Sequence, residues 1–392
     1  MSEGPIPVMQ FCNSSVRGGA EEHILTLLRG LDRKSFQLHL VCSPEVAEAV
    51  GPDMPPDVEL LPLHYPSPSH VAGAARLSRW IRERRIQVLH SHLFTSSLCS
   101  SPVGWMCRVP LIVETPHVRE SWRRGWKAHN FTVDRLAGRF VHRYIAVSYA
   151  NARYLVGEKG LPERKIRVIQ NGTDLSRFNP AHKPPPGMRA DLGIGALDPV
   201  LLVAARLEPQ KGHSVLLEAM PEVLREFPKA RVVFLGEGVL RTQLEGQSRD
   251  LGLQKNVLFV GFRNNVRDWL ALCDFTVLPS FYEGLPLVAV ESLAAGRTMV
   301  ATAVDGTPEV IIDGRTGITV PSRDPKALAG AIASLLRSPD LRQRMAEQGR
   351  AYVLERFSQE RQVRETSEFY LEMLGRPGSP ARDRDLRQAV AS

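Results

Sequence analysis

The sequence predicts an α/β protein built from two doubly wound units, and three observations predict it. The chain has 392 residues, long for one core and suited to two. Short apolar or β-branched runs alternate with longer amphipathic stretches, the pattern of parallel sheets covered by helices on both faces. A Pro- and Gly-rich interruption containing Pro184-Pro185-Pro186-Gly187 cuts that alternation into halves.

In the first half the predicted strands are Ile6–Phe11, Phe36–Cys42, Val58–Leu61, Ile86–His90, Leu111–Glu114, Tyr144–Val147 and Ile166–Ile169. Each is short, bounded by turn residues and followed by a stretch of helical character. Residues 1–180 form the expected first domain and 181–198 the expected linker. The pattern resumes with Val200–Ala204, Arg231–Leu235, Val257–Val260, Phe275–Leu278, Met299–Ala301 and Gly317–Val320, so 199–356 read as the second domain. From Pro325 to about Leu374 the apolar residues, among them Leu328, Ile332, Leu335, Phe357 and Phe369, keep helical spacing. The tail 375–392 is charged, holds Pro377 and Pro380, and reads as disordered. Its Asp383-Arg384-Asp385 has metal-binding spacing, but a frayed end supplies nothing to orient the carboxylates.

Composition excludes several classes. Apolar residues make up 43% and charged residues 23%, ordinary for a soluble globular chain. No apolar run approaches membrane-spanning length, and the start, Met1-Ser2-Glu3-Gly4-Pro5, lacks the basic-then-apolar order of a leader, so a cytoplasmic protein is expected. Cys12, Cys42, Cys99, Cys107 and Cys273 are scattered and odd in number, which fits neither a disulfide framework nor a zinc site. The net charge is +8, and residues 1–180 hold 23 Lys/Arg against 16 Asp/Glu. A basic first domain suits an anionic partner. None of the nucleic-acid signatures is present, which leaves an anionic membrane face or a phosphorylated lipid acceptor, or simply a soluble basic surface.

In open parallel sheets ligands bind beyond the carboxyl ends of the strands, so the residues there carry the argument. After Phe275–Leu278 comes Pro279-Ser280-Phe281-Tyr282-Glu283-Gly284-Leu285-Pro286-Leu287-Val288-Ala289-Val290-Glu291-Ser292. A glycine before a helix start near Leu285 offers free backbone N–H groups for phosphate, and Glu283 and Glu291 would flank it, each facing a hydroxyl-bearing ring. The bland reading is a helix-start charge and a solvated glutamate. After Val200–Ala204, Arg206 and Lys211 lie in a strand-to-helix loop, where two cations can neutralise a departing diphosphate. Weaker signals are Gly18-Gly19 at a helix opening and Gly236-Glu237-Gly238, which lacks a small residue at Arg241 for a dinucleotide fingerprint. His117 ends a strand and could bond a sugar hydroxyl. Beyond it Trp122 and Trp126 are mixed with four cations, a stretch suited to sugars or a membrane interface. His90 and His92 have no Cys or carboxylate at ligand spacing and read as structural.

Taken together, Arg206 and Lys211, Glu283 and Glu291, Val168-Ile169-Gln170-Asn171-Gly172-Thr173-Asp174 and Gly18-Gly19 resemble glycosyltransferase family 4, over about residues 8 to 370. The resemblance implies a GT-B fold, two Rossmann-like domains facing across a cleft, with the acceptor on the first and the donor on the second. It implies that a last helix, 357–374, packs back on the first domain. It implies retention of anomeric configuration with no metal or other cofactor and a UDP-, GDP- or ADP-sugar as co-substrate. Carried over by position, Arg206 and Lys211 hold the diphosphate, the amides of Gly284, Leu285, Pro286 and Leu287 support the donor phosphate or sugar, Glu291 bonds the ribose and Glu283 the transferred sugar. His117 touches the donor sugar, and Gly18-Gly19 lie near phosphate and acceptor. His117, Glu283, Arg206 and Lys211 are thus the expected catalytic set. The acceptor is expected to be lipid-linked or a saccharide, for envelope polysaccharide, lipopolysaccharide or glycolipid synthesis at the inner membrane face. Nucleic acid is not an expected partner.

Three positions depart from the family pattern. Ala205 stands where glycine often precedes the arginine, Thr298 replaces a common proline, and Asp305-Gly306 replaces a common glycine pair near the sugar. Competing readings are a binding protein on a retired enzyme scaffold, which has no chemical reason to keep Arg206, Lys211, Glu283 and Glu291, and a sugar-nucleotide epimerase. A phosphorylase would want a pyridoxal-phosphate lysine, which the sequence does not announce.

Overall fold

A computed structural model describes residues 4–15, 17–117, 119 and 131–376. Trp122, Trp126 and the 377–392 tail with Asp383 and Asp385 lie outside the described residues. Two compact units form: Met1–Asn171 with Gln359–Ser392, and Gly172–Ser358.

The first unit carries β1 (Ile6–Cys12), β2 (Phe36–Cys42), β3 (Glu59–Pro62), β4 (Val88–His92), β5 (Leu111–Thr115), β6 (Arg143–Ala146) and β7 (Ile166–Val168). They form one sheet in the order β3-β2-β1-β4-β5-β6-β7, parallel throughout. All seven residues of β1 are buried, which is why its sequence is a near-continuous apolar run rather than an alternating one. The helix Gln359–Met373 belongs to this unit although it comes last in the chain. Its Phe369 and Tyr370 join the core of β1 and β2 side chains. A Cβ on Gly30 would stand 2.6 Å from Val363, so glycine lets the first helix, Gly19–Gly30, approach the last one.

The second unit carries β8 (Val200–Ala204), β9 (Arg231–Leu235), β10 (Val257–Gly261), β11 (Phe275–Leu278), β12 (Met299–Thr302) and β13 (Gly317–Val320). The order is β10-β9-β8-β11-β12-β13, again all parallel. This unit starts at Gly172, well before the expected 199, and residues 181–198 are part of it rather than a separate linker. The reason is packing. Leu175, Phe178 and Ile194 are buried in one cluster with Val200 and Leu202, and His182 Nε2 lies 2.6 Å from Asp268 Oδ1.

In each sheet the strand order reverses once beside its first strand, between β1 and β4 and between β8 and β11. Loops leaving neighbouring strands at such a point diverge and leave a crevice at the carboxyl ends. Those two pairs of loops hold most of the residues singled out by sequence.

Candidate active site

In the second unit the loops after β8 and β11 are packed backbone against backbone. Gly212 sits at φ 63°, and a Cβ there would stand 2.0 Å from the Pro279 carbonyl oxygen, so no other residue fits without moving the loop. Phe281 N–H donates to Gln210 O at 2.8 Å, and the Gln210 side chain donates to Tyr282 O at 2.9 Å. This contact brings Lys211 Nζ to 2.6 Å from Glu283 Oε1. Ser280 Oγ donates to the same oxygen at 2.6 Å. Glu283 is buried and Lys211 largely so, so removing either partner alone leaves the charge of the other uncompensated.

The helix Leu287–Ala294 begins two residues later than the expected Leu285. Pro286 has no N–H, so the amides available at this helix start are those of Gly284, Leu285 and Leu287, and Pro286 leaves the amide set expected from sequence. Glu291 lies on the same helix, half-buried. Arg206 is exposed on the loop after β8. Gly236 and Gly238 serve packing against that loop. Cβ atoms on them would stand 2.0 Å from Ala205 O and 2.4 Å from Leu207 O. Thr298, the departure from proline, donates its hydroxyl to Thr316 O at 2.9 Å.

Beside the ends of β9 and β10 opens a cavity of about 510 Å³ lined among others by Glu237, Arg241, Phe259, Arg263 and Trp269. None of the residues expected to bind donor lines it.

The first unit gathers four histidines around the ends of β4 and β5. Gln10 donates its amide to Tyr370 Oη at 3.3 Å, which leaves Gln10 Oε1 to accept from His92 Nε2–H at 2.7 Å. His92 Nδ1 is therefore an acceptor, and His117 Nε2–H donates to it at 3.0 Å. That fixes the His117 tautomer with Nδ1 as an acceptor site. His90 bridges Tyr370 Oη and Thr115 Oγ1, each at 2.6 Å. His23, from the first helix, lies 2.8 Å from Asn171 Oδ1. Burial pulls the His23 ring down to about 4. Burial first, and neighbouring rings second, hold His90, His92 and His117 well below the usual imidazole range. Among the described residues, His23, His92 and His117 have ring nitrogens within 4.8 Å of one another, the spacing of a metal-ligand group. Two of those rings, His92 and His117, already bond each other.

Gly18 donates its N–H to Glu21 Oε2 at 2.8 Å, closing the start of the first helix. Gly19 has nothing within 4 Å of an added Cβ, and Gly18 has only Glu21 Oε2 at 3.6 Å, so packing does not require glycine at either position. The five cysteines are free thiols, four of them buried. No helix among the described residues is long and apolar enough to cross a membrane.

Sequence reasoning missed Ser280, His23 and Tyr370. A serine in a loop and a histidine or tyrosine on an amphipathic helix give no signal until the topology brings them together.

Comparison with known proteins places both the family and the fold. Residues 17–177 match the family described as Glycosyltransferase Family 4, and residues 187–352 match the one described as Glycosyl transferases group 1. A D-inositol 3-phosphate glycosyltransferase of Streptomyces scabiei is 28% identical over 395 residues, covering 90% of this chain and 86% of the relative. An uncharacterised glycosyltransferase of Methanocaldococcus jannaschii is 29% identical over 304 residues, 74% of this chain and 77% of its own. Among solved structures, Anabaena HepE in complex with UDP superposes with a TM-score of 0.80 at 21% identity over 94% of this chain and 100% of its own. Sucrose-phosphate synthase from Thermosynechococcus elongatus does so with a TM-score of 0.76, also at 21% identity, over 95% and 100%. With both halves of the chain matched and the fold shared, the protein belongs to glycosyltransferase family 4 and is an enzyme of glycosyl transfer from a nucleotide sugar on a GT-B fold.

Proposed function

We propose that the chain is a retaining glycosyltransferase that needs no metal and moves a sugar from a nucleoside-diphosphate donor to a hydroxyl acceptor. The carrying observation is the Lys211–Glu283 pair at the β8/β11 switch point. Lys211 keeps two further N–H groups beyond the one given to Glu283, and with Arg206 these face the diphosphate. Charge that grows on the departing phosphate is stabilised by cations already in place. Glu283 bonds the transferred sugar, Glu291 the ribose, and the amides of Gly284, Leu285 and Leu287 the phosphate or sugar. From the first unit His117 offers a sugar hydroxyl the acceptor nitrogen Nδ1. Gly18 and Gly19, glycines without a packing reason, leave backbone open to phosphate and acceptor.

In this reading the acceptor oxygen bonds the anomeric carbon on the face from which the phosphate oxygen leaves, and the phosphate takes the acceptor's proton. No enzymic nucleophile is required. Glu283, held by Lys211 and Ser280, stands as a positioned acceptor for hydroxyls rather than as one of two carboxylates facing across the bond.

The basic first half suits an anionic acceptor, and we assign a lipid-linked or envelope-saccharide acceptor at the inner membrane face. A second reading is a small phosphorylated polyol, favoured by relatives named D-inositol 3-phosphate glycosyltransferases. Calorimetric titration of UDP-, GDP- and ADP-sugars with EDTA present, on wild type and Glu291→Ala, tests the donor site. One nucleotide class should bind, and bind less well to the variant. No binding by folded wild type overturns the reading. Flotation with anionic liposomes separates the acceptors, since only the first reading expects lipid-dependent recovery.

A further inference from the structure

The loop after β12 contains Asp305 at φ 41°, a conformation that side chains rarely adopt and that glycine adopts freely. Asp is one of the few residues besides glycine that enter this region, and it does so at some cost in backbone strain. In return, Asp305 Oδ2 accepts the backbone N–H of Glu283 at 2.9 Å. The same strand end holds the donor loop a second time. Thr302, the last residue of β12, donates its hydroxyl to Ser280 O at 2.5 Å. The segment 280–283 is therefore fastened at one end to the last residue of β12 and at the other to the loop that follows it. Meanwhile the Glu283 carboxylate is held by Lys211 and Ser280.

These restraints act on different parts of one residue. Lys211 and Ser280 fix where the Glu283 carboxylate points, whereas Asp305 fixes where its backbone stands. A glycine at 305 keeps the turn and loses the acceptor, leaving the main chain of Glu283 with one tether fewer. Functional groups lose affinity steeply when their support loosens by a fraction of an ångström.

We infer that Asp305 is a positioning residue for the donor sugar. Through the Glu283 amide it sets how tightly the transferred sugar, as distinct from the nucleoside diphosphate, is held. The inference rests on the assignment of Glu283 to the sugar under the proposed function.

The test needs no acceptor. Calorimetry gives the ratio of Kd for UDP to Kd for UDP-glucose, with the GDP/GDP-mannose and ADP/ADP-glucose pairs run alongside to find the nucleotide class. Asp305→Gly should lower that ratio about tenfold, the worth of one good hydrogen bond, while the affinity for the nucleoside diphosphate stays within about twofold. Asp305→Asn tolerates positive φ and keeps an acceptor oxygen, so it should restore the ratio. In Asp305→Gly the relief of strain and the lost hydrogen bond oppose each other, so the melting temperature should stay close to that of the wild type. Hydrogen exchange at the Glu283 amide should rise in the glycine variant and not in the asparagine one.

An unchanged ratio in Asp305→Gly overturns the inference while leaving the donor site standing. Equal losses in both variants overturn the hydrogen-bond assignment in favour of a general role for the loop. Wild type that binds no nucleotide overturns the proposed function itself and this inference with it, and is recognised because every variant is then equally silent.

Discussion

Lys211 and Glu283 lie 72 residues apart in sequence and 2.6 Å apart in space. They meet because β8 and β11 are neighbours in the sheet and because Gly212 lets one loop press against the other. Removing only the ammonium, in Lys211→Met, leaves a buried carboxylate uncompensated and should cost about 3 kcal/mol of stability. The double variant Lys211→Met/Glu283→Leu should regain most of that loss and remain inactive. Urea denaturation beside a nucleotide-release assay checks both. A double variant no more stable than the single one would mean that the pair is not what makes the change costly.

Gly212 and Gly19 should respond in opposite ways to alanine. Gly212→Ala forces a Cβ onto the Pro279 carbonyl at a left-handed position, and should destabilise by about 3 kcal/mol or more. Gly19→Ala meets nothing and places a better helix former at a helix start, so its melting temperature should hold or rise. Its glycosyl transfer should fall. If transfer by Gly19→Ala matches wild type, the proposed role for that loop is lost.

The histidines of the first unit make stability depend on pH. Their folded-state pKa values are lowered, so unfolding takes up protons whenever the pH is below the ordinary imidazole value. Stability should be full above about pH 6.5 and decline as the pH falls toward the lowered values, by about 1.4 kcal/mol per pH unit for each ring that stays neutral. For His23 that decline runs down to about pH 4. Denaturation midpoints at pH 8, 6.5 and 5 measure the slope, and His23→Gln should flatten it by one proton. A slope unchanged in the variant would show that His23 is not one of the contributors.

Tyr370 links the last helix to this network through His90 and Gln10. Tyr370→Phe keeps the packing and strands buried polar atoms, at a cost of about 2 kcal/mol. Hydrogen exchange protection along β1 and β4 should weaken with it. Equal stability of the two proteins would show that the network satisfies itself without the hydroxyl.

Both sheets are legible because most of their strands are buried on two faces and so spell out apolar runs between turn residues; all thirteen expected strands are present, most with ends shifted by a residue or two. The placement of 181–198 was not legible. A Pro-rich stretch reads as a spacer, and only the burial of Ile194 and the contact of His182 with Asp268 reveal that it is packed. At the site, Glu283 and Lys211 stood out by position after strands, but their direct pairing did not, since spacing along the chain says nothing about which neighbours a parallel sheet will make. The helix starts later than Gly284 suggests because Pro286 holds the chain extended until Leu287. Asp305 stands out in the sequence as a departure from the family pattern, yet its partner, a backbone amide, has no signature in any sequence.

The helix Gln359–Met373 closes the first unit from the far end of the chain. On the ribosome, the stretch Gly172–Ser358 emerges as one unbroken segment and contains everything its own sheet needs. The first unit, begun earlier, waits with the seat of Tyr370 bare until the segment of the second unit has been made. The order of synthesis and the order of completion are therefore reversed. A stop or frameshift just after Ser358 would spare the second unit and spoil the one whose strands were translated before it.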